Sequence, residues 1–383
     1  LILTQYMSFC FMLTIATIAI TLLYVVLIVL LIVGLVQPSA GHNQAFGQLA
    51  QPVSVVVAFR NEAPNLTRLL EALSRQTLDA SKWELIMVDD GSTDGGDKIA
   101  QSFHNLPGLR LVKLQKGITG KKQALLFGVE LARFNLVAIT DADCVPVATW
   151  LNDISRRANG YALLQGCVLV ERKPNLLSWF EALDYASLMA VSAGSFGLKR
   201  PVVAASANLV FRKDMINVRP ETLRVDVASG DDMFLLHEVK KDHSNNMLFS
   251  TNLAGSVLTR FDGGFVGAIR RRRRWVSKAP AYTDIETILV GLIVLVFNLW
   301  LLVLPMICIF NLEAWNLLVG SLLVASLANF CLLFIYLKQT NQLKLMLVFL
   351  PLQLIYPIYL CTVAIAGFAG GQNWKGRAVS WKN

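Results

Sequence analysis

The stretch PVSVVVAFRNEAPNLTRLLEALSRQ, Pro52–Gln76, holds the fold in miniature. Its first half is a β-branched run that stops at Arg60, Asn61 and Glu62; a run without polar alternation reads as a strand buried on both faces. Its second half spaces leucines by three and four, with Pro64 suited to the first helical turn. The unit then recurs. WELIMVDDGSTD (Trp83–Asp94) leads into GGDKIAQSF, LRLVKLQ (Leu109–Gln115) into GKKQALLFGVELARF, and NLVAITDADC (Asn135–Cys144) into VATWLNDISRRA. Strands separated by helices imply an α/β domain with a parallel sheet covered on both faces, spanning about 52–283.

In such sheets ligands gather at the carboxyl ends of the strands. The polar residues stand there: Arg60-Asn61-Glu62, Asp89-Asp90 and Asp141-Ala142-Asp143. Carboxylates crowded onto one rim repel unless something compensates them. Ser92, Thr93 and Asp94 suit helix capping, and Asp94 is read as a cap. Asp141 and Asp143, at i and i+2 leaving a strand, point the same way and suit a divalent cation with oxygen ligands.

Apolar sequence flanks this domain, and a chain 55% hydrophobic and 16% charged is too apolar for an ordinary soluble protein. Phe9–Val36 carries no charge and exceeds the ~20 residues needed to cross a bilayer. It lacks a basic start and a small-residue cleavage site, so 1–36 reads as a retained signal anchor, followed by a polar linker at 37–51. The first residue is Leu1 rather than Met, which reads as a true start lying upstream or altered. Three further candidates, Ile285–Phe310, Leu317–Leu337 and Leu345–Phe368, fall within a C-terminal membrane region at 284–370, interrupted by Pro305, Pro351 and Pro357. A tail at 371–383 follows.

Charge gives the orientation. Arg270–Arg274 and Lys278, in AIRRRRRWVSKAP, abut the second span, so the domain is expected in the cytoplasm of what reads as a bacterial inner membrane. The loop at Glu313 then lies outside and the loop Lys338–Lys344 inside. Four spans would put the tail outside despite Lys375, Arg377 and Lys382, a conflict that one interfacial or re-entrant C-terminal segment would remove. Nucleic acid is a poor partner, because the acidic rim repels phosphate and no aromatic platform accompanies the basic run. Cys10, Cys308, Cys331 and Cys361 fall in apolar segments and Cys144 and Cys167 in the domain, with no metal-ligand spacing and thiols expected to be reduced.

Taken in order, VAFRNE, VDDGSTD, GKKQAL, TDADC, SGDD and RRRRW resemble the inverting membrane-bound glycosyltransferases of family 2, the group of ceramide glucosyltransferase and the polysaccharide synthases, over about Pro52–Trp275. The resemblance implies the GT-A nucleotide-diphospho-sugar transferase fold, a Rossmann-like mostly parallel sheet, together with transmembrane helices. It implies an enzyme that moves a sugar from a nucleotide-diphospho-sugar, UDP-linked by family frequency, to a lipid or lipid-linked saccharide at the cytoplasmic face. A polysaccharide synthase extending a glycan is the alternative, and a lipid-binding membrane scaffold the alternative outside enzymes. The small number of spans, and arginine where the polymer synthases usually have glutamine, lean towards single transfer to a lipid.

The same resemblance implies the roles. Glu62, Asp89 and Asp90 would surround the nucleoside, and Lys121 would lie near the diphosphate. Asp143 would be the principal ligand of Mn²⁺ or Mg²⁺, with Asp141 assisting the metal or orienting the ribose. Asp232 would be the catalytic base, beside Asp231, whose like charge would raise one of the two pKa values; an acidic helix N-terminus is the plainer reading of both. Arg271, Arg274 and Trp275 share a helical face in the spacing of the family's Q/R-x-x-R-W motif, so Arg274 would meet the diphosphate and Trp275 would wall the acceptor pocket or simply anchor the interface. Arg272 and Arg273 are left to membrane lipid headgroups, and Lys122 to solvent.

Overall fold

The computed structural model describes residues 2–37, 49–227, 229–312, 314–368, 372–374 and 377–379. Most of the linker and tail, and Glu313, lie outside the described residues. After helix α1 (Ile2–Val36) comes β1 (Val53–Phe59), buried along its whole length and parallel to both β2 (Trp83–Asp89) and β4 (Leu136–Ile139). The edge strand β3 (Arg110–Lys113) runs parallel to β2. The crossovers are α2 (Ala63–Ser74), α3 (Gly96–Ser102) and α4 (Lys121–Leu131), with the leucines of α2 buried as their spacing required.

Beyond β4 the sheet departs from the parallel arrangement. After β5 (Cys144–Pro146), α5 (Trp150–Arg157), β6 (Leu163–Gly166), β7 (Val168–Val170) and α6 (Leu176–Gly197), strand β8 (Leu209–Arg212) runs antiparallel between β4 and β6. The chain continues through α7 (Pro220–Leu223), α8 (Asp231–His243), β9 (Met247–Ser250), β10 (Val257–Thr259) and α9 (Gly264–Val276). The main sheet has seven strands in the order β3-β2-β1-β4-β8-β6-β9, and a smaller one has the order β5-β10-β7. Parallel pairing still dominates, giving a mostly parallel α/β sheet. The reversal at β8 was not legible, because a four-residue apolar strand carries no pattern that shows its direction.

Among the described residues, four segments are long and apolar enough to cross a bilayer: Cys10–Val36, Ile285–Cys308, Ala314–Gln339 and Leu343–Gly367. They correspond to α1, α10 (Ile285–Cys308), α11 (Ala314–Gln339), and a 3₁₀ turn (Leu343–Val348) running into α12 (Phe349–Phe368). Pro305 and Pro357 lie inside helices that continue past them. Tyr24 stacks on Phe297 with ring centroids 4.0 Å apart and donates to Asn329 Oδ1 at 3.0 Å, so one residue of α1 ties both neighbouring helices. Two short strands, β11 (Gln372–Trp374) and β12 (Arg377–Val379), pair antiparallel after them.

The domain is fixed to the first apolar helix by close backbone packing. A Cβ added to Gly34 of α1 would fall 2.0 Å from the Gly194 carbonyl oxygen, and one on Gly197 of α6 2.0 Å from that of Gly34. Only glycine permits that approach. Thus α6 is an element on which the α/β domain and the first apolar helix meet.

Candidate active site

The loops after β1 and β2 are zipped together. Asn61, in the left-handed region at φ 50°, donates its amide to Ser92 Oγ at 3.1 Å, and its Oδ1 accepts from the Thr93 amide at 2.9 Å. Asp94 Oδ2 accepts from the Ala63 amide at 2.8 Å and its Oδ1 from the Gly96 amide at 3.1 Å, so it serves the starts of two helices at once. The N-cap position of α3 is Gly95, so Asp94 serves the start of that helix from one residue earlier than a cap. Asp89 is buried and accepts from the Ser92 amide at 2.7 Å, while Asp90 Oδ1 accepts from the Gly120 amide at 3.0 Å, just before α4. Glu62 accepts from Asn65 at 2.7 Å. All three acids expected near the nucleoside therefore also organise the loops that carry them.

Lys121, the first residue of α4, connects the rim to a second acidic group. Its Nζ lies 2.7 Å from Asp141 Oδ1, 3.1 Å from Asp231 Oδ2 and 2.8 Å from Ser206 Oγ. Burial disfavours the ammonium, but Asp141 and Asp231 outweigh it and hold Lys121 above its ordinary range. Burial likewise opposes the Asp231 carboxylate, yet Lys121 and Lys278 hold it below the usual carboxylate range. The raising that a like-charged neighbour was expected to give one of the Asp231–Asp232 pair is thus not seen at Asp231, because the lysines around it outweigh it. Asp232 Oδ1 is 3.1 Å from Lys278 Nζ.

Asp141, Asp143 and Cys144 place their ligand atoms within 4.8 Å of one another. Burial, with Asp141 and Glu62 adding to it, pushes Asp143 up to about 6. The donor set fits a hard divalent cation: two carboxylates that repel each other, the outer one bearing a charge that burial disfavours. Cys144 does not join them, since burial pushes its thiol well above the ordinary range and it donates to Asp143 Oδ1 at 3.6 Å.

The basic helix α9 rests on an aromatic support. Trp275 packs against Tyr185 of α6 and Phe261, with centroids 5.8 and 6.2 Å apart. Tyr185 reaches the other way: burial, Cys144, Asp141, Asp232 and Asp143 together raise its phenol well above the ordinary range. One side chain thereby lies between the carboxylates and the tryptophan of α9. The arginines divide differently from the expectation. Arg271 pairs with Glu181 and donates to the Asp262 carbonyl. Arg272 is not left to headgroups: it is half-buried against Asp184 of α6, with Nε donating to Oδ2 at 2.6 Å. Arg274 is half-buried and makes no ion pair among the described residues.

Lys122 also corrects its expectation. It is buried rather than solvated, donating to the Arg224 carbonyl at 2.8 Å with its Nζ 4.4 Å from the Phe234 ring centroid, and burial lowers it to about 7. Lys278, Ser206, Tyr185, Glu181 and Asp184 were not singled out as site residues from the sequence. Only the last group left a readable signal: Glu181, Asp184 and Tyr185 at i, i+3 and i+4 form one helical face matching that of α9.

Comparison with known proteins gives the family and the fold. The family described as glycosyl transferase family 2 matches residues 54–199, and that described as glycosyl transferase family group 2 matches 136–366. Glycosyltransferase AglE of Haloferax volcanii is 29% identical over 165 residues, 43% of this chain and 53% of that protein. Dodecaprenyl-phosphate galacturonate synthase of Rhizobium johnstonii is 35% identical over 111 residues, 28% of this chain and 32% of that protein. Undecaprenyl-phosphate 4-deoxy-4-formamido-L-arabinose transferase of Pseudomonas aeruginosa is 32% identical over 124 residues, 32% of this chain and 36% of that protein. The chain thus spans about half the length of the first and about a third of the others. Among solved structures, mannosyltransferase PcManGT from Pyrobaculum calidifontis, in complex with GDP-Man and Mn²⁺, superposes with a TM-score of 0.56 at 18% identity, covering 90% of this chain and 97% of that one. That likeness carries the GT-A fold.

Proposed function

This chain belongs to glycosyl transferase family 2, and on that premise we propose that it transfers a sugar from a nucleoside-diphospho-sugar to a lipid acceptor at the cytoplasmic face of a membrane. The observation that carries the reading is the Lys121 bridge, in which one ammonium links Asp141 of the rim to Asp231 of α8. It ties Asp141 of the rim to the acidic start of α8 and so supports reading the two as one site. The names of two relatives favour a prenyl phosphate as the acceptor lipid.

In this mechanism Asp143 and Asp141 would hold Mn²⁺ or Mg²⁺, which when bound would supply positive charge to stabilise a diphosphate leaving group. Lys121, and Arg274 from above, add fixed positive charge to the same leaving group. Glu62, Asp89 and Asp90 accept hydrogen bonds from the nucleoside. Asp232, held by Lys278, takes the acceptor's proton as it attacks from the face opposite the diphosphate, with inversion. Trp275 and Tyr185 wall the acceptor's path from the lipid.

Membranes containing the chain, supplied with a panel of labelled sugar nucleotides and Mn²⁺ or Mg²⁺, test the proposal. Label should move into an extractable lipid and fall at least about 100-fold on chelation or in Asp143→Ala. Label in a polymer would point to glycan extension instead. No metal-dependent transfer with any donor would leave a lipid-binding scaffold.

A further inference from the structure

The last apolar helix, α12, is long enough to cross a membrane, yet its contacts return it to the domain. The levels of the other helices can be read from their pairings. Trp300 of α10 donates to Thr17 of α1 at 3.2 Å, and Asn311 donates to Cys10 Sγ at 3.3 Å, so α10 runs antiparallel to α1. Thr21 donates to Ser321 at 2.9 Å and Gln339 to the Leu35 carbonyl at 3.4 Å, so α11 runs back beside α1. Val36, Ile285 and Gln339 therefore share the domain-side level. Cys10 and Asn311 mark the opposite one, roughly 40 Å along α1 at 1.5 Å per residue.

A crossing α12 would carry Gly367 towards Cys10 and Asn311. Instead, a Cβ on Gly367 would fall 2.8 Å from Val276 Cγ1 and 3.5 Å from the Arg273 carbonyl oxygen, both on α9. Tyr359 Oη lies 3.4 Å from Asp184 Oδ2, the acid that holds Arg272. Val276 cannot sit at the far level, because the residues after it are fastened to the domain. Lys278 is bound to Asp232 at 3.1 Å, and Asp284 to Lys240 at 2.8 Å.

We infer that α12 does not cross the membrane but lies along its domain-side face, so that the described chain crosses three times and its tail returns to the side of the catalytic domain. The surface this creates is one-sided. Leu350, Leu354, Ile358 and Ile365 are 60–69% exposed on one face, while Val363 and Gly367 are buried on the opposite one. Its partner is the phospholipid of the domain-side leaflet, with acyl chains against that row. Charge fits the same side: Lys338, Lys344, Lys375, Arg377 and Lys382 join the arginine helix, and the conflict raised by four crossings disappears. This topology goes beyond the proposed reaction and holds whichever acceptor is used.

The test is one of sidedness, independent of turnover. Glu130→Cys in α4, Leu312→Cys between α10 and α11, and Asn373→Cys after α12 are made separately in the full chain. Each is treated with a membrane-impermeant maleimide on spheroplasts and on inverted vesicles, with the parent chain and its six native cysteines as background. Asn373→Cys should label from the same side as Glu130→Cys, and Leu312→Cys from the other. Labelling of Asn373→Cys together with Leu312→Cys overturns the inference. If Asn373→Cys reacts from neither side, protease removal of an epitope fused after Asn383 decides: cleavage from the Glu130 side supports the inference, and cleavage from the Leu312 side overturns it.

Discussion

Lys121 and Lys122 are adjacent and identical in type, and the helix that carries them sends them to opposite fates. A rotation of about 100° per residue takes the first to Asp141 and Asp231 and the second beneath the Phe234 ring. The family resemblance singled out Lys121, but the sequence could not show that Lys122 would be buried too, since that depends on Phe234 of α8 packing against it. Lys121→Met leaves two carboxylates facing each other without their shared cation, and transfer should fall by roughly 100-fold. Lys122→Met removes one hydrogen bond behind the site, costs on the order of 1 kcal/mol, and should leave turnover within a few-fold. Equal losses of turnover in the two variants would break the assignment of Lys121. For Asp232→Asn, nucleotide binding should persist while transfer drops about 100-fold or more, as expected for a lost base. A phosphate acceptor whose second ionisation lies near pH 6 would need that base less at pH 8 than at pH 5.5. A rate ratio of wild type to Asp232→Asn that narrows with rising pH therefore reports a phosphate nucleophile, and a constant ratio a hydroxyl.

Among the elements, α9 shows how much the sequence disclosed and where it stopped. Its shared face of Arg271, Arg274 and Trp275 was legible from spacing, as were β1, β2 and β4 with the acidic rim at their ends. The complementary face of α6 was overlooked because Glu181 and Asp184 sit in a long apolar helix, far from any recognised motif. Without that face, Arg272 reads as a headgroup contact. Its actual partner makes a different prediction. Arg272→Ala strands a buried Asp184 and should cost about 3 kcal/mol of stability, seen as an earlier unfolding midpoint in detergent. Arg274→Ala breaks no ion pair among the described residues, so its midpoint should stay put while turnover falls at least tenfold. If Arg274→Ala unfolds as early as Arg272→Ala, then Arg274 serves the packing of α9 rather than the leaving group. The reversal of β8 belongs to the same scale, since strand direction is set by which helix must cover which face.

For the molecule as a whole, the decisive junction is the one between the catalytic sheet and the apolar helices, and His237 reports on it. It lies on α8, buried, with Nε2 3.3 Å from Thr287 Oγ1 of α10 and its ring 5.1 Å from that of Tyr282. Its Nδ1 has no hydrogen-bond partner among the described residues. Burial lowers His237 to about 4 from the ordinary 6.5, only partly countered by Asp284. The sign follows directly: the unfolded chain takes up the proton first, so stability present above pH 6.5 is lost as pH falls towards 4, by up to about 3 kcal/mol. Asp143, raised to about 6, acts in the opposite sense over part of that range, because its folded form binds the proton first. Total acid sensitivity therefore mixes the two, and a comparison with His237→Gln separates them, since glutamine keeps a polar group near Thr287 without titrating. Between pH 7 and 4.5 the wild-type midpoint in detergent should fall by roughly 5 °C more than that of His237→Gln. Parallel falls in both proteins would mean that the junction does not depend on keeping His237 neutral, and that acid acts on the carboxylate rim instead.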